Sequence, residues 1–183
     1  RSTLSPYTTL FRSVPVEALA QREPSRATLL DTSPELLLSA DLPAGYRRAL
    51  GRYRYGPGVA KVDFALAGPV PWSNAEVRRA PTVHLGGTRA EIAASENAVM
   101  RGSVAEHPYV LVTQPSVLDA TRAPEGKHVL WAYIHVPSGS TLDATELITA
   151  QVERYAPGGR ELILASTASS ATELAAYNPN YVG

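Results

Sequence analysis

The stretch "HVLWAYIHV", His128–Val136, decides the fold. Successive side chains of a strand point to opposite faces. Leu130, Ala132, Ile134 and Val136 therefore share one side, and Val129, Trp131, Tyr133 and His135 share the other. The first set is plain core. The second is aromatic and amphipathic, which suits the wall of a ligand cavity or a sheet surface covered by helices. A Pro137-Ser138-Gly139 turn closes the strand.

The same alternation recurs upstream in "GVAKVDFALA", predicted as a strand over about 58–67. Val62, Phe64 and Leu66 face one side, and Lys61 and Asp63 the other. A strand-surface pair of this kind is worth at most about 1 kcal/mol. Lys61 is nevertheless conspicuous, because the chain has only one other lysine, Lys127. Further strands are predicted at "PTVHLGG", at Tyr109 to Gln114 and at Ala27 to Asp31. "ELILAS" reads as a last strand or a helix extension.

Helices fill the gaps. "TRAEIAASENAVMRG" opens with Thr88 and Glu91, the spacing of a capping box, and Ser170 with Glu173 repeats it. "LDATELITAQVERYAPGG" places Leu147, Ile148, Val152 and Tyr155 roughly on one side. "PAGYRRALGRY" reads as a short helix ending near Gly51, and Ser33-Pro34 as the start of another. Strands and helices do not alternate as in a doubly wound sheet. The expected class is α+β: an antiparallel or mixed sheet of about four strands with flanking helices.

Composition narrows the function. The chain has 183 residues and a formal net charge of zero, which implies no nucleic-acid partner. It has no cysteine, which removes disulfides, thiolate nucleophiles and cysteine-ligated zinc and fits a cytoplasmic protein. No apolar run approaches the roughly 20 residues that span a bilayer. Abundant Arg, Ala, Gly and Pro suggest a bacterial gene of high GC content.

The common catalytic signatures are missing. "GPGVAK" enters a strand and lacks the third glycine of a dinucleotide cradle. No G-x-S-x-G elbow occurs. His128 and His135 lie an odd number of residues apart on one strand, on opposite faces. His84 and His135 can meet across strands, but without the ligand spacing of a metal site.

Residues 1–13, "RSTLSPYTTLFRS", carry no periodicity. Pro6 to Ser13 back-translates to a string that looks like the end of a common sequencing adapter. This segment is expected to be non-native, residues 14–25 a linker or truncated remnant, and residues 26–183 one domain.

Five segments in order are similar to phytoene-dehydrogenase-related FAD-dependent oxidoreductases, relatives of carotenoid desaturases and flavin amine oxidases. They are "RYRYGPGVAKVDFALAGPVPW", "RAPTVHLGGTRAEIAASE", "RAPEGKHVLWAYIHVPSGST", "AQVERYAPG" and "AYNPNYVG". The resemblance runs from about Arg26 to Gly183. It implies an internal fragment: the substrate domain of a two-domain FAD oxidoreductase, with "RATLLDTSP" as a return strand toward a missing FAD-binding domain. It also implies FAD in the full-length parent, a small lipophilic substrate and peripheral membrane contact. Trp131, Tyr133 and His135, with His84, are expected to line the substrate cavity. Lys61 matches the strand lysine that in many flavin amine oxidases faces the flavin through a water, and Trp72 matches the aromatic that closes that segment. The alternative is a stand-alone α+β module that binds a small ligand or a partner without catalysis.

Overall fold

A computed structural model describes residues 26–183; the expectations for residues 1–13 and 14–25 lie outside the described residues. The chain forms two compact units that divide between Arg54 and Tyr55. In the first, Pro34–Ser39 forms a 3-10 helix with proline in its first turn, and helix α1 spans Ala44–Leu50. The Arg47 guanidinium donates to the carbonyls of Leu38 and Ala40, tying the two together. The strand expected at Ala27 to Asp31 does not form. A strand needs a ladder partner, and no described residue of this unit is in a strand; Leu29 stands 84% exposed.

The second unit is built on a five-stranded sheet in the order β2-β3-β4-β1-β5, with every neighbouring pair antiparallel. The strands are β1 Gly58–Leu66, β2 Thr82–Leu85, β3 Val110–Thr113, β4 His128–Val136 and β5 Ile163–Ser169. The chain is therefore α+β. The fifth strand is the "ELILAS" segment, which leaves a short 3-10 turn at Arg160–Leu162 and pairs with β1 as an edge strand. Three helices complete the unit: α2 Arg89–Met100, α3 Thr145–Tyr155 and α4 Ala171–Tyr177.

β1 and β4 form the centre of the sheet. Their register runs without a break from Gly58↔Val136 to Leu66↔His128. Side-chain alternation then gives the sheet two unlike faces. Ala60, Val62, Phe64 and Leu66 of β1 and Leu130, Ala132, Ile134 and Val136 of β4 are buried, with Val110 and Val112 of β3 beside them. Helix α3 contributes Ile148 and Val152 to this core, and the loop after β1 contributes Val70 and Trp72. Each fully buried aliphatic side chain contributes about 1.5–3 kcal/mol, so this face dominates stability.

Trp72 brings a polar atom into the core, and its partner is specific. The indole Nε1 donates to Gln114 Oε1 at 2.8 Å. The Gln114 amide nitrogen donates in turn to the carbonyls of Ala80, at 2.8 Å, and Val77, at 3.3 Å. Gln114 is 4% exposed, and its carboxamide groups are engaged at both ends. Gln151 acts similarly, donating to the Pro108 carbonyl and accepting from Arg154.

Both expected capping boxes form. Thr88 Oγ1 accepts from the Glu91 amide while the Glu91 carboxylate accepts from the Thr88 amide, and Ser170 with Glu173 does the same at α4. These bonds go to the ionised carboxylates. They hold Glu91 and Glu173 below the ordinary glutamate value of 4.5, the backbone N–H of Thr88 or Ser170 being the largest cause and its hydroxyl the next. Glu153 is lowered too, by backbone N–H groups of Arg160 and Gly158.

Two outcomes follow. Gln114→Ala leaves the Trp72 indole N–H and two carbonyls without this partner, and should destabilise the fold by about 3 kcal/mol in denaturant unfolding. Adding Trp72→Phe should cost less than the sum of the single changes, because both act on one bond. For pH, depressed folded values mean stability that is present above the unfolded value and lost as pH falls through it. The melting temperature should be flat above about pH 5.5 and decline from about pH 4.5 downward. Glu91→Gln and Glu173→Gln should each shrink that decline.

Candidate functional site

The outer face of the sheet carries the chemistry. The register aligns it in rows. One row runs His84, Leu111, Tyr133, Lys61 and Ser169 across all five strands. The next runs Thr82, Thr113, Trp131, Asp63 and Thr167. Val59 pairs with His135 one row further along. The five residues singled out in the sequence, Lys61, His84, Trp131, Tyr133 and His135, thus share one face. All are half-buried except His84, which is exposed.

β4 stacks its aromatic side chains along the strand. The Trp131 and Tyr133 rings are nearly parallel, 14° apart with centroids at 6.4 Å. Tyr133 and His135 are tilted by 47° at 6.0 Å. Lys61 reaches over this array, its ammonium 5.5 Å from the centroid of Trp131. The same ammonium pairs with the Asp63 carboxylate, so the expected strand-surface ion pair is present. Asp63 is 53% exposed, and a pair this open to water adds little to stability. The Lys61 ammonium thus has a carboxylate on one side and a ring face on the other.

Both histidines are oriented by a neighbour. His135 Nδ1 lies 2.8 Å from Glu96 Oε2 on α2. An ionised carboxylate only accepts, so Nδ1 carries the proton and Nε2 of the neutral ring is left as an acceptor. The second carboxylate oxygen of Glu96 is buried without a hydrogen-bond partner. His84 Nδ1 is hydrogen-bonded to the Tyr109 hydroxyl, the two rings 5.4 Å apart. The wall therefore combines stacking surface, one ammonium and oriented imidazoles.

Tyr109 and Glu96 escaped the sequence reading. Tyr109 shares its odd parity with Leu111 and Thr113 and so was legible as a member of this face. Glu96 was not: its role depends on where α2 lies. Trp72, paired with Lys61 by the resemblance, sits 1% exposed in the core and not on the outer face. Among the described residues no cluster of three or more His, Asp or Glu is arranged to hold a metal ion. Nor is any helix of theirs long and apolar enough to cross a membrane.

Among the described residues, two cavities near the sheet stand out, and neither is lined by Trp131, Tyr133, His135 or His84. One, of about 20 Å³, sits in the core among Phe64, Leu130, Val152 and Ile163. The other, of about 310 Å³, opens on the outer face between the start of β1, α4 and the segment Tyr181–Gly183.

The passage from β2 through Gly86 and Gly87 into α2 is the described strand–glycine–helix connection nearest to a phosphate cradle. It does not fit FAD. A pyrophosphate needs free N–H groups at the helix start and open glycines beneath them. Here the Glu91 carboxylate occupies that start, 2.8 Å from the Thr88 amide. A Cβ on Gly87 would stand 2.5 Å from Glu91 Oε2, and one on Gly86 would strike Ile92. The cradle is filled by an anion of the protein's own.

No protein-family model matches the chain, and no curated protein matches it.

The two tryptophans separate the faces optically. Trp72 is sealed in the core and Trp131 stands on the outer wall. Iodide should quench one of two emission components, and Trp131→Phe should remove the quenchable one. Equal protection of both would mean the wall is covered.

Proposed function

We propose that the chain supplies the substrate wall of a flavin-dependent oxidoreductase of the dehydrogenase or desaturase type, acting on a small lipophilic substrate. The observation that carries the reading is the outer face itself: Lys61, Trp131, Tyr133, His135 and His84 on one continuous surface. Buried aliphatic residues back it on the opposite face of the sheet. The five sequence segments similar to phytoene-dehydrogenase-related enzymes all fall in the described chain, and all five contribute to the sheet unit.

In this reading FAD is bound by a domain other than the one described, since the Gly86–Thr88 turn is already occupied by Glu91. The residues of this chain bind and orient. Trp131 and Tyr133 offer an apolar plane to an extended or conjugated substrate. His135, fixed by Glu96, presents Nε2 as a proton acceptor toward that plane. Lys61 contributes a fixed positive charge at its edge. A hydrophobic substrate of this kind brings the protein to a membrane surface without a spanning helix.

A second reading, a stand-alone ligand-binding module, is favoured by the 310 Å³ cavity beside the wall. The coding sequence upstream of codon 14 in an uncontaminated assembly separates the two. A strand–G-x-G-x-x-G–helix frame supports the flavoenzyme, and a start codon near Val14 supports the module. The 183-residue chain, mixed with FAD and dialysed, should keep none. In the full-length protein, Trp131→Ala should raise KM about tenfold with flavin content unchanged, the loss of one good aromatic contact. Loss of flavin instead would assign Trp131 to the cofactor side.

A further inference from the structure

The first unit segregates its charge. Its three described carboxylates, Asp31, Glu35 and Asp41, all precede α1, whereas four arginines, Arg47, Arg48, Arg52 and Arg54, lie in α1 or just after it. No acidic residue falls between Asp41 and Asp63, in a chain whose net charge is zero. All four arginines are exposed, and no described carboxylate forms an ion pair with any of them. Arg48 and Arg52, four residues apart on one turn, repel each other. The same turns carry an apolar stripe. Tyr46, Ala49, Leu50 and Tyr53 follow the i, i+3, i+4, i+7 spacing of one helical face. α1 ends at Leu50, but the turn runs on: the Arg52 amide donates to the Ala49 carbonyl at 3.1 Å and the Tyr53 amide to the Leu50 carbonyl at 3.0 Å. In a globular fold such a stripe turns toward a core. Here no residue of α1 is buried, and Tyr46 and Tyr53 stand 52% and 57% exposed.

We infer that residues 46–54 are a docking surface for an anionic phospholipid bilayer, with Tyr46, Leu50 and Tyr53 entering the headgroup layer and the arginines beside them meeting lipid phosphates. Charge and shape select this partner together. Four unpaired guanidiniums call for an anionic surface. Tyrosine has an apolar body and a polar tip, which suits the boundary between headgroups and acyl chains. At about 100° per residue, Arg47, Arg48 and Arg52 fall outside the apolar stripe, so they reach phosphates while the stripe faces inward. A nucleic acid would match the arginines and stack on the tyrosines, but it offers no apolar layer to Ala49 and Leu50. With seven helical residues the element lies in the interface and spans nothing. The inference goes beyond the flavoenzyme reading and does not rest on it: headgroups are the ligand, and neither FAD nor a substrate enters the test.

The test is sedimentation of the intact chain with sucrose-loaded vesicles, made of phosphatidylcholine alone or with about one-third phosphatidylglycerol. The chain should sediment with the anionic vesicles and stay in solution with the neutral ones. Arg48→Gln, Arg52→Gln and Arg54→Gln should each weaken binding about fivefold, and the three together about a hundredfold. Lysine at the same three positions should keep binding within about twofold, because the bilayer reads their charge. Tyr46→Ser combined with Tyr53→Ser should weaken binding about tenfold and leave its salt dependence unchanged, since that dependence comes from the arginines. All five side chains are exposed, so the melting temperature should not move and a loss of binding reports on the surface alone. The inference is overturned by absence of binding, by equal binding to neutral vesicles, or by binding that the triple glutamine or the double serine variant leaves intact. Tighter binding of a single-stranded oligonucleotide through the same arginines would overturn it as well.

Discussion

The unbroken pairing of β1 with β4 is the constraint on which the sheet unit depends. Each strand contributes nine residues, and the register holds from Gly58↔Val136 to Leu66↔His128. Because strand side chains alternate, that register sorts two sequences at once. It puts eight apolar side chains on the core face and sets Lys61, Asp63, Trp131, Tyr133 and His135 together on the other. A slip by one residue would drive Lys61 and Asp63 into the core, where charges cost far more than one exposed pair returns. The core therefore fixes the outer wall. The wall need contribute almost nothing to stability.

Much of this was legible in the sequence. The alternation of "HVLWAYIHV" and "GVAKVDFALA" named both faces, and both capping boxes marked their helices, because these signals are local. The return strand at Ala27 to Asp31 shows the limit. Its composition suits a strand, but a strand exists only with a partner, and composition says nothing of partners. "ELILAS" shows the converse: ambiguous alone, it became β5 because β1 had an edge to offer. Glu96 was invisible for the same reason. Its bond to His135 spans 39 residues and depends on how α2 is placed. The cavity beside Lys61 likewise forms only where Gly58, α4 and the last described residues converge.

Polar groups in the interior are handled by pairing rather than by exclusion. Gln114 serves Trp72 and two carbonyls, Gln151 serves Pro108 and Arg154, and Ser95 accepts from the Tyr109 amide. Ser116 binds His128 and the Val129 amide. Three of these residues flank the wall: Ser95 sets the start of β3, Ser116 the start of β4, and Gln114 the end of β3. The polar network thus helps to hold the strands that present the aromatic rows.

The central claim is that one register creates a sealed face and a solvent-facing wall. Side-chain NMR relaxation by a soluble paramagnetic agent tests it most directly. Strong enhancement is expected for Val129, Trp131, Tyr133, His135 and Lys61, and little for Val62, Leu130, Ala132 and Ile134. Enhancement of the second set, or equal protection of both, would contradict the register and with it the proposed site.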